Sequence, residues 1–144
     1  MKRKSVRIYS FTGTGSCLAL KLAEKLKQEE YVCTGYTVAR FAEDKKLQRL
    51  NDGWKQEIGA SWGEHALVFI GAAGIAIRAI APFVKDKFTD PPVIVLDEKG
   101  TFAIPLLSGH VGGGVTLAKV LAEYTGGRAV ITTATDVQKK FAAE

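Results

Sequence analysis

Cysteine, histidine and methionine are scarce in this chain, with two Cys, two His and one Met among 144 residues. Cys17 and Cys33 form no CxxC pair and imply no disulfide framework, so each is expected to be a small buried hydrophobe. His65 and His110 lie far apart with no cysteine cluster, which argues against a protein zinc site. A long apolar run is also lacking. Residues 66–84 carry one charge, Arg78, but Gly71, Gly74 and Pro82 interrupt them, so a buried strand and then a buried helix are expected rather than a membrane span. The basic start, Met1-Lys2-Arg3-Lys4, is not followed by the apolar stretch of a secretory signal. A cytoplasmic, reduced location is expected.

The rest is ordinary globular composition, with 47% apolar and 24% charged residues. The length suits one domain over residues 1–144. Lys plus Arg number 20 against 15 Asp plus Glu, a net +5 that suits an anionic partner. The positive charges are dispersed, without the basic-aromatic stripe of a nucleic-acid surface.

Periodicity places strands at Val6–Phe11, Tyr31–Val38, Ala66–Ile70, Val93–Leu96, Thr101–Leu107 and Ala129–Thr132. Leu18, Leu22 and Leu26 recur every four residues and predict a helix, with Ser16 as its cap. Further helices are expected over Phe41–Leu50, Ile75–Val84 and Thr116–Tyr124, while Trp54–Gly63 reads as irregular or weakly helical. Asp97-Glu98-Lys99-Gly100 predicts a hairpin. Alternation of strand and helix gives an α/β fold: three layers around a mostly parallel, doubly wound sheet of flavodoxin or Rossmann type with one β-hairpin.

Ligands of such sheets bind beyond the carboxyl ends of the strands. Four segments are expected to share that rim: Thr12–Ser16, Gly71–Gly74, Ser108–Gly114 and Thr132–Asp136. Thr12, Gly13 and Gly15 form a candidate anion-binding loop, because glycine turns and helix N-termini offer free N–H groups. The G-x-G here lacks its third glycine, since position 18 is Leu18, and no Walker lysine follows. Ser10-x-Thr12-Gly13 resembles the start of a flavodoxin phosphate loop. A flavin would want an aromatic residue on a later loop, and Trp54 and Trp62 are expected to pack in the core or at an edge. His65 is expected to be exposed. His110, inside a glycine loop, is a candidate general base or a turn residue. Arg78 is a candidate carboxylate clamp or an edge residue, and Asp136 either orients a base, binds a hydroxyl or caps a helix. Lys85 and Lys87 read as a solvated face, and Asp90 as a turn residue before Pro91.

Gly71-Ala72-Ala73-Gly74-Ile75-Ala76-Ile77-Arg78-Ala79-Ile80-Ala81-Pro82 resembles the GxxGIAxRxxAP signature of the CbiG family, the cobalt-precorrin-5A hydrolases of anaerobic cobalamin synthesis. Lys85–Pro91, Val93–Asp97, Leu106–Gly113 and Ile131–Asp136 follow in the same order and spacing. The likeness covers about half of the chain, residues 66–136. Family loops usually continue as GGANELA, whereas this one reads Gly112-Gly113-Gly114-Val115-Thr116-Leu117-Ala118.

The resemblance implies opening of the δ-lactone on ring A of cobalt-precorrin-5A, with release of acetaldehyde. For that reaction His110, one imidazole inside an anion-cradling glycine loop, is the expected base, with N–H groups of Gly112 and Gly113 as oxyanion donors and Asp136 as a second candidate catalytic residue. Gly71, Gly74, Arg78, Lys87, Asp90, Ser108, Gly109 and Thr133 complete the expected contacts to a polyanionic cobalt-tetrapyrrole. No cofactor is expected, because cobalt arrives inside the substrate. Family proteins are usually more than twice as long, so the chain corresponds to their N-terminal region and a C-terminal domain or partner chain is implied. Two other readings stay open: a non-catalytic corrinoid-binding module and a flavodoxin-like electron carrier.

Overall fold

The computed structural model describes residues 4–109 and 113–133. Its strands are β1 (Ser5–Ser10), β2 (Val32–Thr37), β3 (Gln48–Arg49), β4 (Ala66–Ile70), β5 (Val93–Leu96), β6 (Phe102–Leu107) and β7 (Arg128–Ala129). They form one sheet in the order β3-β2-β1-β4-β5-β6-β7. The helices are α1 (Gly13–Gln28), α2 (Ala39–Lys45), α3 (Trp54–Ala60), α4 (Ala73–Ile80) and α5 (Gly113–Thr125), with a 3-10 turn at Ala81–Phe83.

The three expected layers are present. On one face, α1 and α5 bury Leu22, Leu26, Leu117 and Leu121 against Val6, Ile8, Val68, Ile70, Ile94 and Leu96. On the other, Ile58 of α3 and Ala76 and Ile80 of α4 pack on Tyr9, Leu67, Phe69, Val93 and Val95. The continuous apolar runs of β4 and β5 follow from this double covering, since both sides of each strand face a helix. Cys33 lies in the first layer, where burial pushes its thiol up to about 11. Cys17 is exposed, contrary to expectation, because it falls on the outer side of α1.

Strands β1, β2, β3, β4 and β5 run parallel. The hairpin reverses β6, which pairs antiparallel with β5. The crossover through α5 then makes β7 parallel to β6. The expectation of one shared rim therefore fails. Segments after β1 and β4 leave at the carboxyl rim of the parallel strands, whereas those after β6 and β7 leave at the amino rim. Strands of five or six residues separate the rims by roughly 17–20 Å.

Several element boundaries also differ from expectation. Thr12, not Ser16, caps α1: its Oγ1 accepts from Gly15 N at 2.9 Å, and Ser16 lies buried inside the first turn. The helix expected to reach Leu50 stops at Lys45, where Lys46 turns left-handed (φ 55°) and β3 begins. Helix α3 is regular over Trp54–Ala60, with Ile58 buried. The last strand is limited to Arg128–Ala129.

The Thr12 hydroxyl also donates to Glu98 Oε2 at 2.8 Å, tying α1 to the hairpin turn. Thr12→Ala should lower stability by about 1 kcal/mol, with Thr12→Ser keeping most of it, as read from urea unfolding midpoints.

Candidate functional site

The carboxyl rim carries the Thr12 turn, Gly71, Gly74 and Arg78. The Thr12 turn is not an open anion cradle, because the Glu98 carboxylate already sits on its hydroxyl. Gly13 lies under the Phe41 ring, and a Cβ on Gly15 would come within 3.0 Å of Thr12 Oγ1. Gly71 takes a positive φ of 154° and donates its N–H to Leu96 O at 2.8 Å. A Cβ on Gly74 would lie 3.0 Å from Arg78 Nη1, so the exposed guanidinium folds back over the first turn of α4.

Beside them opens a cleft of about 630 Å³, lined by Phe11, Arg49, Asn51, Trp54, Lys55 and Arg78, among others. It lies where the strand order reverses between β1 and β4, the usual ligand position in doubly wound sheets. Trp54 packs on Tyr9 and Phe11, with ring centroids 5.7 Å and 5.6 Å apart. Lys55 Nζ sits 5.6 Å from the Trp54 ring centroid. Trp54 thus packs at an edge, as expected, and also walls a cavity. Arg49 and Lys55 escaped notice in the sequence because they surround the Asn51-Asp52-Gly53 break, which reads only as punctuation.

The amino rim gathers Lys87, Asp90, Ser108, Gly109, Gly113 and Thr133. Gly109 (φ 71°) lies against Pro92, and a Cβ there would approach the proline ring to 2.6 Å. Gly113, the first residue of α5, is also beside Pro92. Gly114 N donates to Ser108 O at 2.6 Å and closes the loop across its base. A Cβ on Gly114 would meet Leu107 O at 2.8 Å, so only glycine lets α5 start this close to β6. Val115 is buried and Thr116 exposed, at the positions of the family Asn-Glu pair. Thr133 follows β7 to this rim and makes contacts of its own. His110, Gly112 and Asp136 lie outside the described residues.

Asp90 is only 4% exposed, and its carboxylate is occupied. Oδ1 accepts from Trp62 Nε1 at 3.0 Å, and both oxygens accept from Lys85 N at 3.0 and 3.1 Å. This geometry makes Asp90 an anchor of the 84–92 connection rather than a free contact. Lys85 and Lys87 are exposed, as expected of a solvated face.

A second cleft, of about 250 Å³, opens at this rim among Lys4, His65, Pro92, Gly113, Thr116 and Leu117. His65 is half-buried rather than exposed, with Nδ1 2.6 Å from Ser5 Oγ. Burial chiefly, and then Arg7, holds its imidazole below the usual range against the opposing pull of Glu64. The Ser5 hydroxyl and the His65 ring share this hydrogen bond, whose donor is set by the ring tautomer. Among the described residues no cluster of His, Cys, Asp and Glu can hold a metal ion. No described helix is long and apolar enough to cross a membrane.

Two measurements follow from this geometry. Asp90→Ala leaves the Trp62 and Lys85 N–H groups unpaired and should cost about 2 kcal/mol in denaturant unfolding. The folded chain binds a proton at His65 less readily than the unfolded chain does. Its stabilising effect is therefore present above about pH 6.5 and lost as pH falls below that value. Unfolding midpoints between pH 7.5 and 5.5 should fall less steeply in His65→Asn than in the unaltered chain.

The family model described as cobalamin synthesis G N-terminal matches residues 58–136. A protein of Salmonella typhimurium (strain LT2) named cobalt-precorrin-5A hydrolase is 39% identical over 145 residues, covering 100% of this chain and 40% of that protein. Another of that name, from Priestia megaterium, is 49% identical over 73 residues, 51% of this chain and 20% of its own. A crystal structure of a cobalamin biosynthesis protein G homolog from Sulfolobus solfataricus superposes with a TM-score of 0.68 and 27% identity, covering 89% of this chain and 36% of that one. The chain spans about two fifths of the length of the Salmonella relative. With more than half of its residues matched by that model, the chain belongs to the cobalamin synthesis G N-terminal family.

Proposed function

We propose that this chain is the α/β part of a cobalt-precorrin-5A hydrolase, and that it opens the substrate δ-lactone at the amino rim, releasing acetaldehyde. One observation carries the location. Gly109 and Gly113 both lie against Pro92, and Pro92 and Gly113 line the cleft that also holds His65. A glycine loop allows close approach of backbone N–H groups to an oxyanion.

In this reading water attacks the lactone carbonyl and His110 takes its proton. The N–H groups of Gly112 and Gly113 bind the developing oxyanion. The ring C–O bond then breaks to leave a carboxylate and an alkoxide, the alkoxide collapses to acetaldehyde as its C–C bond to the macrocycle breaks, and the macrocycle carbon that keeps the electron pair takes up the proton held by His110. Asp136 orients the base. Lys4, which lines the cleft, and the exposed Lys87 supply positive charge for the acetate and propionate groups of the macrocycle. Cobalt belongs to the substrate.

A second reading, corrinoid binding without turnover, is favoured by Val115. Where related loops carry asparagine, this side chain is turned into the core. The electron-carrier reading is disfavoured by Glu98, which occupies the turn that a flavin phosphate would need.

Incubation with cobalt-precorrin-5A should release acetaldehyde, and His110→Ala should reduce the rate by roughly 100-fold or more. Tight binding without release would transfer the assignment to the binding module, and unchanged release by His110→Ala would remove His110 as the base.

A further inference from the structure

Ser5 and His65 stand side by side at the amino rim, and no step of the macrocycle reaction uses either. The register of β1 and β4 puts them there. Val6 lies beside Ala66, so the residues that precede these two are neighbours as well. Ser5 Oγ and His65 Nδ1 are 2.6 Å apart, and both residues line the cleft of about 250 Å³. We propose that the pair is a nucleophile and its base, and that the cleft takes short-chain carboxylic esters and cleaves them through an acyl-Ser5 intermediate.

A serine hydroxyl is a weak nucleophile until a base within hydrogen-bond reach takes its proton. In the ring tautomer that carries its proton on Nε2, His65 Nδ1 is that base. Burial and Arg7 hold the ring below the usual range, which keeps it neutral near pH 7, and the nearby Glu64 favours the imidazolium that forms when the proton arrives. Lys4, exposed and lining the same cleft, supplies positive charge to the developing oxyanion. Size and lining select the ligand. The cleft is smaller than the roughly 300–1,000 Å³ of sites for drug-sized molecules, and Val6, Pro92 and Leu117 give it apolar surface for a short acyl chain.

The steps balance with water as the only co-reactant. Ser5 Oγ attacks the acyl carbon while its proton passes to His65 Nδ1. The ester C–O bond breaks, and the leaving oxygen takes that proton to depart as the alcohol. Water then attacks acyl-Ser5 and gives its proton to His65, which returns it to Ser5 Oγ as the carboxylic acid departs.

p-Nitrophenyl acetate is the probe, with turnover read from the absorbance of released p-nitrophenolate and the acyl group located by mass spectrometry of acid-quenched protein. The chain should turn the ester over repeatedly, carry the acetyl group on Ser5, and cleave the decanoate more slowly than the acetate. Ser5→Ala and, separately, His65→Gln should each lower the acetate rate by roughly 100-fold or more. Unfolding curves confirm that both variants fold. An undiminished rate in Ser5→Ala, or an acetyl group on Lys4 in place of Ser5, would overturn Ser5 as the nucleophile. An undiminished rate in His65→Gln would overturn the base, a faster rate on the decanoate would overturn the short-chain preference, and no turnover by the unaltered chain would overturn the proposal itself. Neither cobalt-precorrin-5A nor His110 enters this assay, so ester cleavage and acetaldehyde release stand or fall separately.

Discussion

The reversal of chain direction between β5 and β6 decides at which rim the glycine loop and the segment after β7 lie. It is held locally. Gly100 donates to Asp97 O at 2.8 Å, Phe102 N donates to Asp97 Oδ1 at 2.7 Å, and Gly100 takes a φ of 73° that other residues resist. Thr125 Oγ1 at the end of α5 donates to Gly100 O at 2.7 Å, so the crossover helix is fastened to the same turn. Were β6 parallel to β5, the glycine loop would meet Arg78 at one rim. Because it is antiparallel, Arg78 and the glycine loop face opposite ends of the sheet.

Much of the fold was legible in the sequence because its signals are local. The runs Ala66–Ile70 and Val93–Leu96 match their strands residue for residue, as expected of segments buried on both sides. The hairpin was also legible, from Asp97–Gly100. Strand β3 was not: Gln48 and Arg49 are exposed, and their strand exists only because Tyr36 and Thr37 pair with them. No periodicity records such a pairing.

Of the candidate site, the close packing at the described glycines was legible in the sequence and their arrangement was not. Gly109 and Gly113 announce close backbone packing, and Pro92 supplies the surface they pack on. Their rim, however, follows from strand direction, which spacing does not encode. Glu98 and Asp90 illustrate the same limit. Glu98 is exposed, as a turn residue is expected to be, and also accepts from Thr12, far away in sequence, while Asp90 reads as a turn former and is a buried acceptor for Trp62. Long-range hydrogen bonds of this kind convert apparent surface polarity into structure.

The two outermost strands, β3 and β7, are each two residues long. An exposed strand of full length is a template for pairing with another chain, and such pairing seeds aggregation. Here each described margin offers only a short row of backbone donors and acceptors, and next to one of them Pro105 contributes no N–H at all. Among the described residues, neither margin therefore offers a long row for strand addition.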